Sequence, residues 1–278
     1  MWVGVVFMVL VSCNQKNQSL KIKGSDTEVN LTVQLAEEIK NESIPLIISV
    51  SGGGSGLGIT SLLNGNAEIA NSSRTLNYKE HELFKQKSIQ IDSFNFAQDA
   101  LAIIVSDKNP MDSVSVNELK TIFDGKRRFW NIHNFEKKPI TIYGRQSNSG
   151  TFEYLKNKLN IKFSEKANQL NGNAQIIEAV KTNPYSIGYV GAGYVKYSKV
   201  GYKILKIYNE HQKAVSPLQI KEVENGNYYF KRPLFQYYKA KDYSILKRFF
   251  EFEMSNSGKR IITEAGYFNV NRDEKTQR

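Results

Sequence analysis

The stretch Ile44-Pro-Leu-Ile-Ile-Ser-Val-Ser-Gly-Gly-Gly-Ser-Gly-Leu-Gly-Ile-Thr-Ser-Leu-Leu63 decides how the rest of the chain is read. Residues 44–50 are an apolar run of strand length, with Pro45 near the start, where a missing N–H is tolerated. Ser51-Gly-Gly-Gly-Ser-Gly56 then turns the chain, and 56–63 continues as a short helix. A strand that hands a glycine-rich loop to a helix N-terminus is one unit of an α/β fold.

Similar units lie on both sides. Residues 20–23 read as a strand, and 30–42 as a helix with Leu31, Leu35 and Ile39 on one face. A strand at 68–70 precedes a helix at 78–87. The apolar run within 99–106 is the strongest buried-strand signal, stopped by Lys108-Asn-Pro110. Ser115 and Glu118 form a capping box for a helix at 115–123. Strands at 140–143, 186–190, 203–208 and 233–238 alternate with helices at 151–159, 174–182, 243–254 and 258–265. This alternation predicts an α/β fold with a largely parallel sheet.

Composition narrows the function. The chain has 278 residues, 40% hydrophobic and 23% charged, which excludes long disorder and collagen-like structure. The length suggests two lobes or one large domain. Lys+Arg 38 against Asp+Glu 27 gives +11, which favours an anionic partner without selecting one. The basic residues are interspersed with acids, so no stripe marks a nucleic-acid groove. One cysteine, Cys13, excludes an intrachain disulfide and polythiolate metal sites. His81, His133 and His211 are scattered without metal-ligand spacing and read as structural or solvent-facing; no metal or cofactor is expected.

Residues 1–11 are almost wholly apolar and give way to Ser12-Cys13 and the polar run 14–19. The run is too short to span a bilayer but suits the apolar region of a signal peptide. Leu10-Val-Ser-Cys13 resembles a bacterial lipobox. The expectation is a signal peptide at 1–12, lipidation of Cys13 and a tether at 13–19. An ordinary signal peptide is the alternative, and the usual basic segment before the apolar run is missing.

Three strand-to-helix junctions carry hydroxyls and glycine-exposed amides: Gly24-Ser-Asp-Thr27, Ser51–Gly56 and Gly144-Arg-Gln-Ser-Asn-Ser-Gly-Thr151. Unpaired amides and the positive end of the helix dipole favour an anion at such points. Any one of them is explained by helix capping; three at the carboxyl ends of strands point to a ligand. The glycines do not fit a P-loop, a dinucleotide fingerprint or a nucleophile elbow, and no catalytic constellation is found. Arg145 supplies a planar fork for two anion oxygens. Arg74, in Ala70-Asn-Ser-Ser-Arg74, is a second candidate.

Taken together, these motifs, with Ile187-Gly-Tyr-Val190 and the 258–266 segment, resemble the phosphate-binding component of bacterial phosphate ABC importers, in order from about residue 20 to 270. The resemblance implies a type II periplasmic-binding-protein fold: two α/β lobes joined by two hinge crossings, near 96–102 and just before Arg232. Lobe 1 would comprise 20–100 and 230–278, and lobe 2 101–229. It further implies phosphate ligands at Ser25, Asp26, Thr27, Ser55, Ser73, Arg74, Arg145, Ser149, Gly150 and Thr151. The implied partners are inorganic phosphate and the permease subunits of an ABC transporter. The implied setting is a monomer, anchored by lipid in the periplasm or at the cell surface, with no enzymatic activity.

One departure bears on selectivity. Some members carry an aspartate where this chain has Ser73-Arg74, and that carboxylate accepts the proton of HPO₄²⁻ while repelling sulfate. Asp26 could take this role or could cap the following helix; both readings stay open here. Two rivals also stay open: the same fold binding sulfate, molybdate or another tetrahedral oxyanion, and a sensor or adhesion protein without a transporter.

Overall fold

The computed structural model describes residues 18–196, 200–210 and 213–270. The leader expected at 1–12, Cys13, 14–17 of the tether, His211 and residues 271–278 lie outside them. The chain begins with strand β1 (Gln18–Gly24), a single 3-10 turn (Asp26–Glu28), α1 (Val29–Asn41), β2 (Leu46–Ser51), α2 (Ser55–Leu63), β3 (Ile69–Ser72) and α3 (Tyr78–Gln86). It continues through β4 (Ile91–Ser106), β5 (Ser113–Ser115), α4 (Val116–Phe123), β6 (Thr141–Arg145), α5 (Gly150–Leu159), β7 (Asn168–Leu170), α6 (Asn173–Thr182) and β8 (Ser186–Gly191). Strands β9 (Tyr202–Ile204) and β10 (Lys206–Tyr208), α7 (Ile220–Glu224), β11 (Lys231–Lys239), α8 (Tyr243–Glu253), α9 (Asn256–Glu264) and β12 (Phe268–Asn269) complete it.

The main sheet runs β2-β1-β3-β11-β4-β8-β6-β7, with β9 and β12 also paired to β4. Its two ends are parallel, β1 with β2 and β3, and β6 with β7 and β8. The middle is antiparallel, because β4 and β11 run in opposite directions between the two ends. The sheet is therefore mixed, and the largely parallel sheet expected from the alternation is corrected at those two strands. Local periodicity carries no information on the direction of a strand that crosses from one end to the other.

Strand β4 joins the two lobes. It pairs with β11 as far as Ala100 and with β8 from Leu101 onward. Phe96 and Ala97 pack in one core with Leu20, Leu31, Leu35, Ile39, Leu234 and Phe249. Leu101, Ile103 and Val105 pack in the other with Leu119, Phe123, Ile142 and Leu155. Ala102 and Ile104, on the opposite face, meet Ile176, Val180 and Val190. This alternation is the period of two that a sheet covered on both faces requires. Each such buried aliphatic or aromatic side chain contributes about 1.5–3 kcal/mol, so each lobe has a core of its own.

The capping box expected at Ser115 and Glu118 is present, and Asn77 with Glu80 forms a second one at α3. The strand expected at 99–106 extends back to Ile91, because its polar first half pairs with β11 rather than forming a loop. The strand expected at 203–208 is split into β9 and β10, which pair with different partners. His81 and His133 are exposed.

Candidate functional site

Four loops meet where the lobes face each other. The 3-10 turn after β1 presents Asp26 and Thr27, and the start of α2 presents Ser55. The end of β3 leads to Ser73, and the N-terminus of α5 presents Ser149, Gly150 and Thr151. Ser25, Thr27, Ser55, Ser73, Arg145, Ser149 and Thr151 are all buried. Residues this polar are buried only where hydrogen bonds or a ligand satisfy them.

Several contacts join the lobes directly. Thr27 Oγ1 and Thr151 Oγ1 are 3.0 Å apart. The Asp26 carboxylate oxygen Oδ2 accepts from Arg145 Nη1 at 3.1 Å, from the Asn173 backbone N–H at 2.9 Å and from Asn173 Nδ2 at 2.6 Å. Gly56 N–H donates to the Asn148 carbonyl at 3.0 Å, and Asn148 Nδ2 returns a bond to Gly53 O at 3.2 Å. The Tyr194 hydroxyl holds the Asp26 carbonyl of the other lobe at 2.7 Å, and within lobe 1 the Tyr267 hydroxyl holds the Thr27 carbonyl at 2.5 Å.

Gly150 shows how close the approach is. A Cβ there would lie 2.2 Å from Ser55 Oγ and 2.6 Å from Ser73 Oγ, so only glycine lets α5 of lobe 2 dock on these lobe 1 hydroxyls. Ser55 Oγ accepts from Ser73 N–H at 3.2 Å. Ser149 caps α5, its Oγ accepting from Thr151 N–H at 3.2 Å. Glu28, beside Thr27, is a fully buried carboxyl that burial pushes well above the usual range, with the charge of Arg232 opposing the shift.

Arg145 is placed at the end of β6 by Tyr189, whose hydroxyl accepts its backbone N–H at 2.9 Å. Burial pulls its guanidinium down from the usual value, and Asp26 opposes that shift; an arginine stays charged all the same. Arg145 Nε and Ser73 Oγ are buried without a hydrogen-bond partner.

Arg74 is the exception among the expected ligands. Its Nη1 and Nη2 each reach Glu80 at 2.7 Å, and its Nε lies 2.6 Å from Glu153 Oε2. With two carboxylates on its donors, it is placed as a strut between β3 and α5. Asp26 is likewise no simple helix cap: its side chain reaches the other lobe, and Ser25 occupies the cap position without a side-chain bond.

Sequence reasoning missed Asn173, Asp99 and Arg232. Arg232, on β11, stands opposite Asp99 on β4. Its Nε and Nη2 reach Asp99 Oδ2 at 3.0 and 2.8 Å, with both side chains fully buried. Burial pushes the Asp99 carboxyl up, and Arg232 opposes this by charge and hydrogen bonding. The only available signal was the position of Arg232 beside a hinge proline, and that says nothing about its partner. Among the described residues, no group of three or more His, Cys, Asp or Glu side chains is placed to hold a metal ion.

Two α/β lobes facing each other across a polar cleft define the type II periplasmic-binding-protein fold. The PBP superfamily domain model matches residues 12–257, and the chain belongs to that family. The phosphate-binding protein PstS of Staphylococcus aureus (strain USA300) is 29% identical over 259 residues, covering 91% of this chain and 78% of that protein. A Clostridium perfringens protein solved with bound phosphate superposes with a TM-score of 0.80 at 24% identity, covering 91% of this chain and 100% of that one. PstS from Borrelia burgdorferi superposes with a TM-score of 0.57 at 26% identity, covering 91% and 99%.

Proposed function

We propose that this protein is a non-enzymatic receptor that captures inorganic phosphate between its lobes and delivers it to the permease of an ABC importer. The observation that carries the reading is the convergence of hydroxyls from both lobes, Thr27 on Thr151 at 3.0 Å, beside the buried donors Ser73 Oγ and Arg145 Nε that have no hydrogen-bond partner among the described residues. The names of the Staphylococcus aureus and Borrelia burgdorferi relatives support the same ligand. The proposed phosphate set is Ser25, Asp26, Thr27, Ser55, Ser73, Arg145, Ser149, Gly150 and Thr151. Asp26 is the proposed acceptor of the phosphate proton. Its Oδ2 is taken by Arg145 and Asn173, which leaves Oδ1 for that proton. An ionised carboxylate in that place repels fully deprotonated sulfate.

The lobes are proposed to divide at 100/101 and 229/230, where β4 changes partner and β11 begins. The protein acts as a monomer, exported by the leader at 1–12 and held outside the cytoplasmic membrane by lipid on Cys13. Complementation tests the transport role: phosphate uptake in cells lacking the gene is restored by the wild-type chain and not by Arg145→Ala. Uptake that is unaffected by deletion would overturn it. Mass spectrometry of the mature N-terminus tests the anchor, with a diacylglyceryl mass on Cys13 expected.

A further inference from the structure

We propose that Arg232 is a second anion-binding arginine, presented from lobe 1 at the point where the chain crosses back into it. The proposal rests on the phosphate reading above and adds a ligand to it. Arg232 sits near the start of β11, just after the second crossing, and its cross-strand partner Asp99 lies on β4, just before the first. The guanidinium has five N–H donors in a rigid fork. Nε and one Nη2 hydrogen donate to Asp99 Oδ2, and the other Nη2 hydrogen is shared between Thr27 Oγ1 at 3.3 Å and Thr151 Oγ1 at 3.1 Å. Tyr154 covers it, with Cζ 5.2 Å from the ring centroid. Nη1 is buried and has no partner.

An ion pair that served only to pin β4 to β11 would need Nε and Nη2 alone. It would not need a guanidinium laid between the hydroxyls of both lobes with its remaining amino group unpaired in the interior. Because Nη1 and Nη2 share one carbon, Nη1 lies beside the Thr27–Thr151 contact. Ser73 Oγ and Arg145 Nε, buried and unpaired, come from lobe 1 and lobe 2. The three atoms supply donors from both lobes.

Arg232 also orients the hydroxyls. Each threonine oxygen accepts from Nη2, and in the 3.0 Å contact one hydroxyl donates to the other. The second hydroxyl proton is then free to point at an anion oxygen. Asp99 cancels the formal charge, so Arg232 contributes directed N–H groups without making the cleft more cationic. A residue beside a crossing moves least when lobes open and close about it. Arg232 and Thr27 therefore meet the anion before Thr151 swings in.

The test compares full-length wild-type protein with Arg232→Lys and with the charge-neutral double variant Arg232→Gln/Asp99→Asn, which leaves no unpaired buried charge. Phosphate affinity is read by calorimetry and folding by thermal melting. Loss of the guanidinium fork is expected to weaken phosphate binding at least roughly 30-fold in both variants, with the double variant melting near the wild-type temperature. A folded double variant within about threefold of wild-type affinity would overturn the proposal. A crystal structure of the wild-type protein with phosphate decides independently of whether the variants fold: an Nη1-to-phosphate-oxygen hydrogen bond supports the assignment, and an Nη1 out of contact overturns it. Wild-type protein that binds no phosphate would instead overturn the phosphate reading itself, and this assignment with it.

Discussion

Arg74 Nε lies 2.6 Å from Glu153 Oε2, joining the loop after β3 in one lobe to α5 in the other, while Glu80 holds the two terminal nitrogens of the same guanidinium. The Glu153 side chain is 27% exposed and that of Arg74 7% exposed, so water screens this pair only in part. It is a latch at the mouth of the cleft, outside the set of groups proposed to touch the anion.

Glu153→Gln removes the latch charge and leaves Arg74 paired with Glu80. A partly buried ion pair of this kind contributes about 1 kcal/mol, so phosphate should bind roughly fivefold more weakly. Since the contact exists only when the lobes are together, the change should appear as faster release in stopped-flow measurements, with little effect on association. Unchanged release would mean that the pair does not bias closure.

Asp26→Asn should weaken phosphate binding by roughly 10- to 100-fold, since charge-assisted bonds to Arg145 and Asn173 and the proton acceptor are lost together. The fold should persist, because the carboxylate bonds to the other lobe rather than supporting its own. Calorimetry with both anions separates the effects: the preference for phosphate over sulfate should shrink in the variant. Unchanged phosphate affinity would falsify the role.

Gly150→Ala places a methyl group 2.2 Å from Ser55 Oγ and 2.6 Å from Ser73 Oγ. The clash is between lobes, so the protein can relieve it by remaining open. The variant should fold and melt normally, lose phosphate binding by more than about 100-fold, and show a larger radius of gyration by small-angle scattering with phosphate present. A variant that closes like the wild type would contradict the docking of α5 on these hydroxyls.

Glu253 and Glu28 are fully buried carboxyls whose pKa values burial raises well above the usual range, with Gln236 as the hydrogen-bond partner of Glu253. Above the unfolded pKa the unfolded chain has released these protons and the folded chain keeps them. Stability therefore falls as pH rises from the unfolded value towards the folded one, by up to about 1.4 kcal/mol per pH unit for each group. Glu253→Gln mimics the neutral acid, so it should melt near the wild type at pH 5 and above it at pH 8. Equal melting temperatures of the two proteins at both pH values would mean that Glu253 is ionised in the fold.

The parts of the site that were legible in the sequence are those built from short local patterns. Gly24–Thr27, Ser51–Gly56 and Gly144–Thr151 each run from strand to helix, and the physics of a helix N-terminus marks them without knowledge of the fold. Arg232 and Asp99 are 133 positions apart, and Asp26 and Asn173 are 147 apart, so nothing near any of these residues signals its partner. The partners of Arg74 were hidden for the same reason. Its near partner Glu80 is the acid of the Asn77–Glu80 capping box that the structure shows, and Glu153 reaches it only when α5 docks. The sheet followed the same division: the parallel ends came from local alternation, and the antiparallel middle came from the two crossings.

Isothermal titration of the purified protein with phosphate and, separately, with sulfate tests phosphate capture most directly. Saturable binding of one phosphate per chain, with no sulfate heat at the same concentrations, is the expected result. Sulfate binding as tight as phosphate, or no heat with phosphate, would contradict it.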